Sequence, residues 1–103
     1  MSVVVVRYRT QPDRADENQA LVERVFAELA AARPEGLRYA TFRLDDGEQF
    51  VHVAEVHTAD GANPLAGIDA FAEFQRDIPE RMAEGPVVAD ATLVGSYGFG
   101  FDA

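Results

Sequence analysis

Two histidines, His52 and His57, with Glu55 between them, are the side chains in this sequence best suited to moving a proton near neutral pH. Each histidine is a candidate general base, and Glu55 is a candidate to orient the His57 imidazole. The histidines stand five residues apart within Phe50 to Thr58, a run whose alternation reads as a strand, so the odd spacing sends them to opposite faces of a sheet. His52 then shares its face with Phe50, Ala54 and Val56, and His57 shares the other with Glu55, Val53 and Val51. Two histidines so divided cannot grip one metal ion within one subunit, a site shared across a dimer would need a third ligand with no obvious source, and with cysteine absent no metal site is expected. The tyrosines Tyr8, Tyr39 and Tyr97 can donate phenolic hydrogen bonds to a polar ligand atom. Phe42, Phe71 and Phe74 can sandwich an aromatic ring, and Arg43 can hold an oxyanion. Each also has a structural reading: aromatics at these spacings are mostly core, and Glu55 can serve strand register by pairing with Arg43 or Arg7.

The elements that must position these residues follow from hydrophobic period. Ser2 to Thr10 is rich in β-branched residues, with Val3 to Val6 apolar on both faces. A helix follows Gln11-Pro12-Asp13, with Asp13 or Asp16 able to cap it and Leu21, Val22, Val25, Phe26 and Leu29 in one stripe. Pro34 and Gly36 end it. Leu37 to Leu44 reads as a second strand, and Asp45-Asp46-Gly47 as a hairpin turn into the third, making the two antiparallel neighbours. Asn63-Pro64 opens a second helix whose stripe is Leu65, Ile68, Phe71, Ala72, Gln75 and Ile78. Pro79 breaks or kinks it, a short turn continues through Met82, and Gly85-Pro86 ends that turn. A last strand is expected from Val87 to about Tyr97, followed by the tail Gly98-Phe99-Gly100-Phe101.

The order β-α-β-β-α-β predicts an α+β ferredoxin-like sandwich, a four-stranded antiparallel sheet with both helices on one face, in a single domain over 1–103. Valines pointing both ways from the first strand require cover on the other face as well, and a second copy of the chain is the expected cover, giving a homodimer. The formal charge of −9, from 18 acidic and 9 basic residues, with the basic ones scattered, argues against nucleic acid and anionic membranes as partners. No run is apolar and long enough to cross a bilayer and no signal-like segment opens the chain, so a cytoplasmic protein is expected. The sequence carries no G-x-S-x-G elbow, dinucleotide fingerprint, P-loop or H-E-x-x-H motif.

The strand Phe50-Val51-His52-Val53-Ala54-Glu55-Val56-His57, the helix segment Phe71-Ala72-Glu73-Phe74 and the ending Val94-Gly95-Ser96-Tyr97-Gly98-Phe99 together resemble the antibiotic biosynthesis monooxygenase-like group of the dimeric α+β barrel proteins. The resemblance spans most of the chain. It implies a homodimer whose sheets meet as a barrel, a small pocket between sheet and helices in each subunit, and cofactor-independent oxidation of an aromatic or polyketide-like compound. The alternative is a non-catalytic small-molecule-binding or accessory domain. The chain departs from the group where His57 stands in place of a tryptophan and where Ala66 to Ala70 lacks a helix histidine. Haem degradation, which in the group uses an asparagine, a histidine and a tryptophan, is therefore not expected, and Asn63 alone does not supply it.

Overall fold

A computed structural model describes residues 2–99. It contains β1 (Ser2–Thr10), α1 (Ala15–Ala32), β2 (Leu37–Arg43), β3 (Gln49–Val56), α2 (Asp69–Arg76), α3 (Ile78–Arg81) and β4 (Met82–Ala91), with 3₁₀ turns at Pro12–Arg14 and Pro64–Gly67. The strands form one sheet in the order β2-β3-β1-β4 with every neighbouring pair antiparallel. This is the ferredoxin-like βαββαβ arrangement that the sequence predicts.

Register decides which side chains meet. β1 pairs with β3 so that Val6 faces His52 and Tyr8 faces Phe50, and β2 pairs with β3 so that Tyr39 faces Ala54 and Thr41 faces His52. Those residues share the face that the helices cover, where Tyr8, Phe50, Val22, Val25, Leu65, Ile68, Phe74 and Met82 form the core. The α1 stripe supplies Val22 and Val25 to that core, with Leu21, Phe26 and Leu29 packed against it. Val3, Val5, Val51 and Val53 point the other way and are only half-buried.

Several local expectations change. Neither Asp13 nor Asp16 caps α1, because Pro12–Arg14 turns first and closes its own backbone with the Arg14 N–H on the Gln11 carbonyl at 3.0 Å; Asp16 instead meets Arg43. The β2–β3 connection is a longer loop than a two-residue turn. Gly47 supplies its one positive φ, of 79°, and the Asp46 carboxylate accepts the Glu48 and Gln49 N–H groups. Asn63 accepts the Leu65 N–H at 3.0 Å as expected, but the turn it opens stops at Gly67. α2 then restarts at Asp69, its first free amides bonded at 3.0 and 2.9 Å by the Glu28 carboxylate of α1. On α2 it is Phe74 that is buried, while Ala72 and Gln75 are exposed.

The last strand is displaced most. It begins at Met82, not Val87, and ends at Ala91, not near Tyr97. Ala91 lies opposite Val3, one residue from the start of β1. Gly85 and Pro86 sit inside β4 at a register shift, between the pairs Arg7–Val87 and Arg9–Glu84. A bulge on an edge strand tolerates a proline that lacks a donor. Leu93, Val94 and Tyr97 are exposed beyond the sheet, and Gly100 and Phe101 lie outside the described residues. Among the described residues no helix is long and apolar enough to cross a membrane.

Candidate functional site

Between the sheet and α2 lies an open-mouthed cavity of about 290 Å³. Val4, Val6, Tyr8, Tyr39, His52 and Ala54 line it from the sheet, and Leu65, Phe71, Phe74 and Ile78 from the α2 side. Pro86 and Val88 of β4 close one flank, and Asn63 and Gln75 contribute amides. The alternation of strands β1 and β3 explains the apolar floor, because even-numbered residues all face the helices. The placement of α2 follows from the Glu28 bonds and from Phe74, which is 4 % exposed and packs against both Tyr8 and His52.

One end of this apolar space is polar. His52 is 5 % exposed, and both of its ring nitrogens are bonded. Nε2 lies 2.7 Å from the Tyr8 hydroxyl, and Nδ1 lies 2.5 Å from the Tyr39 hydroxyl and 3.1 Å from Thr41 Oγ1. Tyr8 receives a further hydrogen bond, at 2.8 Å, from Nδ2 of Asn18, which is itself fully buried on α1. Asn18 Oδ1 accepts from Arg81 Nε at 2.8 Å, and a second Arg81 nitrogen donates to the Phe74 carbonyl at 2.6 Å. The Arg81 guanidinium also lies over the Phe74 ring, 5.2 Å from its centroid. A continuous chain thus runs from Arg81 through Asn18, Tyr8 and His52 to Tyr39, and no buried side-chain polar atom among the described residues lacks a partner.

Burial sets the charge states along this chain. It pushes the His52 pKa down to about 4, so the imidazole is neutral at pH 7. Burial also raises both phenols, Tyr39 to about 12 and Tyr8 further, partly offset for Tyr39 by Thr41 and for Tyr8 by Asn18. Both tyrosines are therefore hydrogen-bond donors rather than bases at neutral pH.

Of the residues singled out in the sequence, His52, Tyr8, Tyr39, Phe71 and Phe74 come together at this cavity. Glu55 and His57 do not. Their side chains meet each other on the opposite face of the sheet, and Glu55 pairs with neither Arg43 nor Arg7. Phe42 pairs with Val51 and faces that same side. Arg43 is at the exposed end of β2, where it bonds Asp16, Gln19 and the Gly47 carbonyl and lies over Phe50. Tyr97 is fully exposed beyond β4. Among the described residues no three His, Asp or Glu side chains are grouped to hold a metal ion.

Sequence reading missed Asn18 and Arg81. Asn18 is four and seven residues before Val22 and Val25, in phase with the buried stripe, so its burial was legible in the helical period. Arg81 left no such sign. Its position is set by tertiary bonds, with the Gln11 N–H donating to its carbonyl at 2.9 Å.

No protein-family model and no curated protein matches the sequence. Solved structures do. Rv0793 from Mycobacterium tuberculosis superposes with a TM-score of 0.70 at 18 % identity, over 92 % of this chain and 96 % of that one. A solved antibiotic biosynthesis monooxygenase gives 0.69 at 17 %, over 92 % and 100 %. SnoaB, a cofactor-independent oxygenase from Streptomyces nogalater, gives 0.68 at 16 %, over 95 % and 97 %. The chain has the fold of the antibiotic biosynthesis monooxygenases.

The buried imidazole makes stability depend on pH. His52 binds a proton in the unfolded chain near its ordinary value of 6.5 but in the folded protein only near 4, so the unfolded state gains protons first as pH falls. Its contribution is present above pH 6.5 and is lost as pH falls through about 4, by roughly 3 kcal/mol in all. Urea unfolding of wild type and His52→Gln between pH 7.5 and 4 checks this: the wild type loses stability more steeply, and parallel curves would contradict it.

Proposed function

We propose that the cavity takes a small aromatic or polyketide-like compound bearing ring oxygens, and that the protein catalyses its oxidation by O₂ without a cofactor. The observation that carries this reading is an apolar space of about 290 Å³ with one polar end built from Tyr39, His52 and Tyr8. Val4, Val6, Phe71 and Phe74 suit the faces of a planar ring, and the hydroxyls suit one oxygen substituent. Likeness of fold to an oxygenase named as cofactor-independent supports the same chemistry here.

In such a reaction the substrate supplies the electrons. A ring methylene that becomes a carbonyl takes one atom of O₂, and the other leaves as water, for four electrons drawn from the substrate. The methylene must first lose a proton, leaving an enolate whose oxygen a buried phenol can stabilise; removal of one such donor typically costs about 10²–10³ in rate. Tyr39 is the donor we assign. His52 takes up the proton only when a hydroxyl that donates to its lone-pair nitrogen lets go, so its first duty is to hold the two phenols in place. Oxygen uptake on adding an anthrone or a quinol tests the reading. Wild type consumes O₂, and Tyr39→Phe and His52→Ala lower kcat/KM at least tenfold. Equal rates in all three would remove this cluster from the chemistry, and ligand binding without any uptake would leave the non-catalytic binding domain as the better reading.

We assign the face bearing Val3, Val5, Val51 and Val53 to a second copy of the chain. These valines are half-exposed, and covering them removes apolar surface from water at roughly 25 cal/mol per Å². Glu55 and His57 then belong to the contact rather than to the cavity. Sedimentation equilibrium should give twice the 11.2 kDa chain mass. A single-chain mass at high concentration would contradict the homodimer.

A further inference from the structure

The direction of every hydrogen bond in the buried chain is fixed from one end. Arg81 is 1 % exposed and its guanidinium can only donate. Its Nε lies 2.8 Å from Asn18, so the amide oxygen must face Arg81 and the amide nitrogen must face Tyr8. The Tyr8 oxygen therefore accepts from Asn18, and its own hydrogen goes to the remaining partner, His52 Nε2 at 2.7 Å. Nε2 is then the lone-pair nitrogen. A neutral imidazole in that state carries its hydrogen on Nδ1, which donates to the Tyr39 oxygen at 2.5 Å, with Thr41 Oγ1 at 3.1 Å as the weaker acceptor. Tyr39 thus receives a hydrogen bond from the protein and has its own hydrogen to give. That hydrogen is available to a ligand oxygen.

We infer that Arg81, acting through Asn18 and Tyr8, fixes His52 as the Nδ1–H tautomer and so makes Tyr39 a donor that selects ligands presenting an acceptor oxygen, a carbonyl or an enolate, at the polar end of the cavity. The inference rests on the proposed binding of an aromatic compound there and adds which chemical form is recognised. Asn18 and Arg81 are positioning residues: they touch no ligand. A ligand hydroxyl can also accept from Tyr39, but its own hydrogen then has no acceptor at the Tyr39 oxygen, which already receives the His52 Nδ1–H. An aromatic ketone is favoured over the matched phenol by roughly two- to tenfold, the worth of one hydrogen bond.

Asn18→Asp tests the polarity with little change of shape. A carboxylate keeps the Arg81 contact but can only accept from Tyr8, so every bond beyond it reverses: Tyr8 donates to the carboxylate, His52 becomes Nε2–H, and Tyr39 donates to Nδ1 and accepts from the ligand. Long-range ¹H–¹⁵N spectra of uniformly labelled protein report the tautomer directly. Wild type and Arg81→Lys, whose side chain is also donor-only, should show protonated Nδ1 on His52, and Asn18→Asp should show protonated Nε2. Calorimetric titration with 1,4-naphthoquinone and 1-naphthol should then favour the quinone in wild type and lose or reverse that preference in Asn18→Asp. The chain has no cysteine for the quinone to alkylate. Protonated Nε2 in wild type overturns the inference whether or not either compound binds, and needs no variant to fold. Failure of both compounds to bind, with the tautomers as stated, overturns the cavity reading and with it the selection, leaving only the polarity of the chain.

Discussion

An imidazole buried in an apolar core must have both nitrogens bonded, and in this protein that requirement organises the site. An unpaired buried polar group costs on the order of 1–3 kcal/mol. The partners that prevent it come from β1, β2 and α1, with α3 behind them: Tyr8, Tyr39 and Thr41, Asn18, and Arg81. Thr41 is the direct cross-strand neighbour of His52, whereas Tyr8 and Tyr39 are diagonal ones, opposite Phe50 and Ala54. Long aromatic side chains reach a diagonal neighbour, and short ones do not. A one-residue slip of either strand would send these phenols to the wrong face and leave His52 without partners.

Irregularities elsewhere serve the same geometry. The interruption at Gly67 lets α2 start afresh on the Glu28 carboxylate, which lays Phe71 and Phe74 over the sheet. The register shifts in β4 carry Pro86 and Val88 to the flank of the cavity and let Met82 reach the core beside Arg81. Gly36 holds φ of +81° against the His57 carbonyl, which a Cβ there would approach to 2.9 Å, so the entry to β2 is pinned to the end of β3. The register that places Tyr39 near His52 begins at that contact.

Much of this was legible in the residues, for identifiable reasons. Element order, the β2–β3 hairpin and the α1 stripe follow from periods of 2 and 3.6, which are local. The face shared by His52, Phe50 and Val56 follows from alternation alone. β4 was misplaced because Gly85-Pro86 reads as punctuation, while in an edge strand the pair is absorbed by a bulge. The union of Tyr8, Tyr39 and His52 was not legible, since it depends on register between strands far apart in sequence. Asn18 is in phase with the buried stripe, but a polar residue on a helix is ordinarily wet, so phase alone does not mark it as part of a site. Arg81, a buried cation, goes against that expectation entirely, and only its contacts with Asn18 and with the carbonyl and ring of Phe74 explain it.

His52 couples the two phenols on either side of it through one ring. A double-mutant cycle of Tyr8→Phe and Tyr39→Phe, measured by urea unfolding at pH 7.5, reads that coupling. Each hydroxyl is removed without loss of the ring, so the cycle isolates the coupling. An interaction free energy of about 1 kcal/mol is expected, because loss of one partner changes which nitrogen carries the hydrogen offered to the other. Additivity within about 0.3 kcal/mol would mean that the phenols act independently and are not coupled through His52.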